Sequence, residues 1–259
     1  MTELRKVDII SEPEDYFMEV VKGNITGDSP VYISGHDDSI GTTLATVGNT
    51  TGLLQTYSTI ADVDSISSED AGDAHDITII GLDVDYNPVA PQTVTLNGQT
   101  RVAIPTPLFR ILRIINLTAT PTLGVVWAYV NTVIAAGKPV DTTKIRKMIA
   151  IIDPTGVAVS EETCSSATHT VAAGREAFVV FGKVTVSDAK AIEMSLWRRL
   201  VGGVFTLVRS IDIKDNNYDY FFKIPAKLPE KTDLEVRAKV DSGTAHVSAA
   251  IDMIERVTT

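Results

Sequence analysis

Hydrophobic and polar residues alternate along much of the second half of the chain. Leu234, Val236, Ala238 and Val240 fall on one face of an extended segment, and Glu235, Arg237 and Lys239 on the other. This period of two is the mark of a half-buried antiparallel strand. The pattern predicts further strands over residues 76–82, 92–96, 124–130, 148–152, 176–181, 191–201, 204–213 and 246–254. Between them lie turn formers: Asp85-Tyr-Asn-Pro88, Asn97-Gly98, Asp153-Pro-Thr-Gly156 and Gly202-Gly203. Asn-Gly and Gly-Gly pairs accept the positive φ that tight hairpins require. An aromatic-rich run, residues 217–224, is expected to end at Pro225. Residues 15–22 suit a short strand or a helix equally, and residues 108–117 a strand or a helical turn. No segment promises a helix longer than three turns.

The first 70 residues read differently. Residues 31–34 form one short strand candidate, but from Gly35 to Asp76 the chain is rich in Gly, Ser, Thr and Asp. Such a stretch buries too little apolar surface to offset its own ordering entropy and orders best against a neighbour. The expected architecture is therefore all-β: an antiparallel β-sandwich, jelly-roll-like, preceded by an extended, partly irregular N-terminal arm. Residues 1–70 form the arm and assembly region. Residues 71–259 form the sandwich body, either whole or split near residue 135.

Composition strengthens the β reading. Val, Ile and Thr supply 84 of the 259 residues, and β-branched side chains favour strands. The formal net charge of −10 is uneven: residues 1–100 carry 3 basic and 17 acidic side chains, residues 101–259 carry 20 and 16. An acidic front argues against nucleic acid as a partner, because phosphate contacts need clustered Lys and Arg. No apolar run approaches the ~20 residues that span a bilayer, so no membrane partner is expected. The N-terminus lacks the apolar stretch of a signal peptide. A single cysteine, Cys164, excludes an internal disulfide framework.

Signatures of catalysis are sparse. The chain has no phosphate-binding Gly-x-x-x-x-Gly-Lys-Ser/Thr loop, no His-Glu-x-x-His and no Gly-x-Ser-x-Gly elbow. Cys164 and His169 lie five residues apart in a Ser/Thr-rich stretch, with no third group to orient them as nucleophile and base. His36-Asp37-Asp38, with Asp70, Asp73, His75 and Asp76, offers oxygen and imidazole ligands, but not at the spacing of a calcium loop. Glu161-Glu162 and Asp83 with Asp85 are sequence neighbours whose carboxylates diverge, unlike the opposed pair of a glycosidase. Trp127 and Trp197 are sugar-stacking residue types, yet both sit inside alternating strands and suit the core. Lys138, Lys144, Arg146 and Lys147 form a basic set without aromatic interleaving; it suits an acidic neighbour, with residues 62–76 as one candidate. The expectation is a protein without enzymatic activity, cofactor or metal.

Two stretches carry a resemblance. Gly81-Leu-Asp-Val-Asp-Tyr-Asn87 precedes Val94-Thr-Leu-Asn-Gly98, and Arg198-Arg-Leu-Val-Gly-Gly-Val-Phe205 precedes Pro229-Glu-Lys-Thr-Asp-Leu-Glu-Val-Arg-Ala238. These motifs resemble virion structural proteins of tailed bacteriophages, especially marine and cyanobacterial phages. Phe17-Met-Glu-Val-Val-Lys-Gly-Asn-Ile-Thr-Gly27 is similar to the start of that family, usually Val-Ala-Arg-Gly-Asn-Val-Pro-Gly. The resemblance runs from about residue 16 to the end, with gaps at 35–57 and 130–165. It implies a particle component, first of all a capsid decoration protein that binds the head shell and neighbouring copies. A neck, tail or baseplate component, or a receptor- or carbohydrate-binding module, are the alternatives. The implied partners are the major capsid protein or other virion proteins and further copies of the chain, as a dimer or trimer; the implied location is the virion, after synthesis in the host bacterial cytoplasm. The motifs are turn motifs and bring no catalytic residues. Candidate contact residues are Phe17, Tyr32, Lys144, Arg146, Lys147, Tyr218, Tyr220 and Phe222. Within the aromatic run, filling the core suits Phe221 better than Tyr218.

Overall fold

The computed structural model describes residues 13–49, 51–118, 120–149, 162–163, 166–186, 190–214 and 217–258. Helix α1 (Pro13–Val21) leads into β1 (Asp28–Ile40) and the short β2 (Ala45–Thr46). The chain then forms β3 (Val63–Ser68), β4 (Asp76–Leu82), β5 (Pro88–Thr95), β6 (Val102–Leu108), β7 (Arg110–Asn116) and β8 (Val126–Val130). A small hairpin, β9 (Ile134–Ala135) and β10 (Lys138–Pro139), precedes a 3-10 turn (Thr142–Lys144), β11 (Ile145–Ile149) and β12 (Glu162–Thr163). The last part holds β13 (Thr168–Thr170), β14 (Arg175–Val186), β15 (Ile192–Arg199), β16 (Thr206–Ile213), β17 (Asn217–Leu228), β18 (Asp233–Val240) and β19 (Ala245–Val257).

These strands build two antiparallel sandwiches. In the first, a sheet of order β11-β8-β3-β6 packs on one of order β12-β7-β4-β5, around Ile66, Ile77, Ile79, Leu108, Ile114 and Val126. In the second, β1-β19-β14-β17 packs on β13-β18-β15-β16, around Ile40, Val179, Val184, Val236, Val247 and Met253. Leaving aside the two-residue β2, which pairs with β18, and counting the other eight strands of the second sandwich, one sheet holds the first, eighth, third and sixth, and the other the second, seventh, fourth and fifth. That winding is a jelly roll. The first sandwich is inserted between its first and second strands. The chain leaves the first sandwich after β12, while residue 135 sits in the small β9–β10 hairpin.

The N-terminal segment is far more regular than its composition predicts. β1 pairs with β19 from Asp28 opposite Arg256 to Asp37 opposite Val247. Its partner is some 210 residues away, so no local hairpin signal exists to reveal it. Gly35 permits this seat: a Cβ there would lie 2.5 Å from the Ala167 nitrogen and 2.7 Å from the Val47 oxygen. β3 lies between β8 and β6 in its sheet. Its buried serines find internal partners, Ser67 donating to the Gly137 carbonyl at 2.6 Å. Polar composition alone thus suggested exposure where hydrogen bonds make burial possible.

Local turn chemistry is partly re-used. Tyr86, at φ 70°, and Gly202, at φ 71°, close the β4–β5 and β15–β16 hairpins. Asn97-Gly98 instead carries the chain from one sheet of the first sandwich to the other, since β5 and β6 belong to different sheets. Residues 15–22 fall mainly in α1, and residues 110–116 form a strand. Pro225 does not end β17, which runs on to Leu228. β17 is an edge strand that bulges opposite Val179/Phe181 of β14, a setting that tolerates a missing N–H. The turn expected at residues 153–156 lies outside the described residues.

Candidate docking face

Along β19, Val247, Ala249, Ile251 and Met253 point into the jelly roll, leaving Ser248, Ala250, Asp252 and Ile254 on its outer face. Strand pairing extends each of these outward positions into a row across the sheet. Tyr32 pairs with Asp252, Asp252 with Phe181, and Phe181 with Phe221. Tyr32 is 61% exposed and Phe221 73%, and the Phe181 and Phe221 rings are 4.7 Å apart. Helix α1 borders the row and contributes Phe17, Val20 and Val21 to a groove of about 640 Å³. An edge strand with exposed aromatic side chains is unusual on a free surface, where such strands are normally blunted by charge.

A charged clamp holds α1 in place. The Arg256 guanidinium donates to Asp28 through Nε and a terminal nitrogen, both at 2.9 Å, and to the Tyr16 hydroxyl at 2.8 Å. Tyr16 in turn donates to Asp28. The Arg256 hydrogen bonds hold the Asp28 carboxyl below its ordinary range. Burial, followed by the bond to Asp28, raises the Tyr16 phenol. Asp252, in the middle of the aromatic row, is raised by burial alone.

Of the predicted contact residues, Phe17 and Tyr32 line this groove, and Phe222 borders it while its ring packs on Tyr220. Tyr218 and Tyr220 do not: with Phe222 they are half-buried and turn toward the second sheet. The Tyr220 and Phe222 rings meet edge-on at 4.8 Å, and the Arg209 guanidinium of β16 lies 4.3 Å from the Tyr220 centroid. The alternation is therefore opposite to the expectation that Phe221 fills the core. Register decides it: Val184 sits opposite Tyr218, and a slip of one residue inverts every side chain.

The basic set does not form one surface. Lys147 is fully buried, its ammonium donating to the Thr168 hydroxyl at 2.7 Å. Arg146 is half-buried and donates to the Ser58 hydroxyl at 2.7 Å; burial lowers its pKa. Lys144 is half-buried at the end of the 3-10 turn. Lys138 approaches Glu69 at 4.0 Å, so an acidic neighbour from residues 62–76 is indeed present for it.

The junction between the sandwiches holds a cluster that the sequence did not announce. Arg110, at the start of β7, donates to Asp233, at the start of β18, at 2.9 Å. Arg199 donates to the same carboxylate at 2.6 Å and Thr170 at 2.7 Å. The Arg110 guanidinium lies 3.9 Å from the Phe109 centroid and 5.1 Å from Tyr57. Burial, then Glu235 and Asp233, push the Tyr57 phenol well above its ordinary value. The one available sequence signal was an arginine set in an apolar run at 110. Chemically the cluster is a lock between two domains: cations, carboxylates and rings satisfy one another.

The remaining chemical candidates are dispersed. Asp38 accepts from His36 at 2.7 Å and lies 3.1 Å from His246, at the exposed margin of the jelly roll. Asp73 is buried in the first sandwich, accepting from the Leu123 and Gly124 amides at 2.8 and 3.1 Å. Asp83 holds its own turn through the Asp85 and Asn87 amides. His169 is buried against Glu255 at 2.6 Å, whereas Cys164 and Glu161 lie outside the described residues. Among the described residues no group of three or more His, Cys, Asp or Glu is placed to hold a metal ion, and no helix is long and apolar enough to cross a membrane. Trp127 is buried, and Trp197 is half-buried beneath the Arg237 guanidinium at 4.7 Å.

No family model and no curated protein matches the chain. Among solved structures, it is similar to an isomalto-dextranase of Arthrobacter globiformis T6 complexed with panose, at 9% identity and a TM-score of 0.25, over 87% of this chain and 35% of that one. It is also similar to the VP2 subviral particle of infectious bursal disease virus, at 10% identity and a TM-score of 0.19, over 90% and 77% of the two chains. The T13 viral particle of the same virus gives 12% identity and a TM-score of 0.21, over 90% and 74%. The chain spans about a third of the length of the isomalto-dextranase chain. At these TM-scores the likenesses bear on neither family nor function.

Proposed function

We propose that this protein is a virion structural component, a capsid decoration protein of a tailed bacteriophage. It binds the head shell, through the major capsid protein or another virion protein, and associates with further copies of itself as a dimer or trimer. The observation that carries the reading is the row of exposed Tyr32, half-buried Phe181 and exposed Phe221 along a groove on the outer face of the jelly roll. A protein that acts alone gains nothing from such a face, whereas a lattice component repeats it by symmetry and multiplies weak contacts into avidity. Two further features agree with it. The jelly roll is a fold that viral capsid proteins share with lectins and cupins, although a fold alone assigns no function. The turn motifs resemble those of phage virion proteins. On this reading the N-terminal segment is the assembly region, since α1 and β1 supply Phe17 and Tyr32 to the face.

The test is copy number per particle, by quantitative mass spectrometry of purified virions against the major capsid protein. One copy per capsid subunit, or one per three, is the expected result. A count of six or twelve overturns decoration in favour of a neck, tail or baseplate ring. Absence from virions overturns the structural role altogether.

A further inference from the structure

We infer that the row formed by Tyr32, Asp252, Phe181 and Phe221 is a cation site that takes an arginine side chain from a neighbouring virion chain. The inference rests on the docking role proposed above and names the chemistry that the face recognises.

The argument begins with the one polar member of the row. Asp252 lies mid-strand in β19, with Tyr32 opposite it on one side and Phe181 on the other. Its neighbours on the same strand face are Ala250 and Ile254. The carboxylate loses hydration there, and among the described residues none donates a hydrogen bond in exchange. Its pKa is raised by burial, and no cation among the described residues offsets the rise. Two of the cations near this face are engaged elsewhere. Arg256 is bound to Asp28, Lys227 pairs with Glu176, and Lys183 stands opposite Asp219 in the next row. Lys223 lines the groove from the edge strand, but does not draw the Asp252 pKa down.

The geometry selects the kind of cation. Adjacent strands lie ~4.8 Å apart, so a group seated on Asp252 has an aromatic ring one strand spacing away on each side. A guanidinium is planar, stacks on rings and presents paired donors to a carboxylate, whereas an ammonium is a strongly hydrated point charge. Aromatic faces attract either cation through their quadrupole, more strongly once water is displaced. The groove is closed along one flank by Phe17, Val20 and Val21, which suit the methylene stem of an arginine.

The probe is methylguanidinium chloride, titrated into the full chain and followed by NMR of the Tyr and Phe rings and the Asp252 carboxyl carbon, with sodium chloride at equal ionic strength as reference. Saturable binding at millimolar concentration is expected, with shifts at Tyr32, Phe181 and Phe221 and a fall in the Asp252 pKa when the probe is bound. Asp252→Asn is expected to weaken binding by about tenfold or more, the loss of one charge-assisted contact worth ~1.4 kcal/mol. Tyr32→Leu, which keeps the carboxylate, is expected to weaken it several-fold. Asp252→Asn should also be more stable than the parent at neutral pH, because it removes a desolvated charge, so loss of binding is not loss of fold. Shifts that never saturate, or binding that Asp252→Asn leaves intact, overturn the inference. Copy number on virions separates the two proposals. Specific methylguanidinium binding by a protein absent from virions refutes the docking role and leaves the cation site; normal copy number without binding refutes the site and leaves the role.

Discussion

Replacing Asp233 by alanine should uncouple the two sandwiches. The carboxylate of Asp233 is 2% exposed, that of its partner Arg110 side chain 7% and Arg199 25%. It accepts from Arg110 at 2.9 and 3.4 Å, from Arg199 at 3.0 and 2.6 Å, and from Thr170 at 2.7 Å. Without it, Arg110 keeps the Ser58 and Phe109 carbonyls, at 2.8 and 3.0 Å, but no acceptor that carries a charge, and it stays buried among rings. Breaking a buried pair from one side costs about 3–5 kcal/mol, because the survivor remains desolvated without its counter-charge. Arg199, a quarter exposed, reaches water and adds less. In a chain of this size each kcal/mol lowers the melting temperature by about 2–4 °C, so a fall of roughly 6–20 °C is expected. Calorimetry with urea denaturation measures it. Since Arg110 belongs to the inserted sandwich and Asp233 to the jelly roll, the single transition should also split into two. The isosteric Asp233→Asn separates charge from volume and should retain most of the loss. A change under about 1 kcal/mol, in the range of exposed ion pairs, would refute the claim that this cluster locks the domains.

Three further outcomes follow from individual positions. Gly137→Ala places a Cβ 1.6 Å from the Ser68 carbonyl at a φ of +77°; a destabilisation beyond the ~1–3 kcal/mol of left-handed backbone strain should appear in urea melts, and a neutral result would contradict the packing of β9–β10 against β3. The folded pKa of Asp28 is depressed, so its contribution is complete above the ordinary aspartate value of 3.8 and is lost as pH falls through the folded value. The protection factors of residues 16–22 against hydrogen exchange should therefore fall below about pH 4 in the parent, and be lower throughout the neutral range in Asp28→Asn; equal protection in both proteins would remove the clamp from the account. Asp37 points into the jelly roll and is 4% exposed, and burial raises its pKa. Its charge penalises the fold increasingly as pH rises above 3.8. Asp37→Asn keeps an acceptor for the Ser39 amide and should be more stable than the parent at pH 7 and equal to it at pH 3; a loss at pH 7 would show a partner for the ionised form.

The period-two pattern and the turn residues are local properties, and they determined what local properties can. The alternation at 234–240 placed β18 and the inward face of Leu234, Val236, Ala238 and Val240, and Gly202-Gly203 placed the β15–β16 hairpin, because both depend on residues within a few positions of one another. The expected half-buried strand is not found, since Glu235 and Arg237 on the other face are buried as well, where Thr46 and Tyr57 pack against them. An all-β sandwich followed from those signals. Partners distant in sequence were settled by the tertiary structure. β1 carries His36, Asp37 and Asp38 and reads as loop until β19 lies beside it, and β3 carries serines that become core only because the fold brings partners to them, Ser67 donating to the Gly137 carbonyl with its oxygen against the Tyr129 hydroxyl. The same reason explains the site. Aromatic residues at 17, 32 and 218–222 were visible as candidates, but which of them face outward depends on the register between β14 and β17. That Tyr32, Asp252, Phe181 and Phe221 form one row depends on three strand pairings spanning 220 residues. Lys147 reads as surface and lies buried, since a charge can be interior wherever the fold brings a hydroxyl and a carbonyl to it. The residues set the periodicity; the pairing of distant strands decided which side chains share a surface.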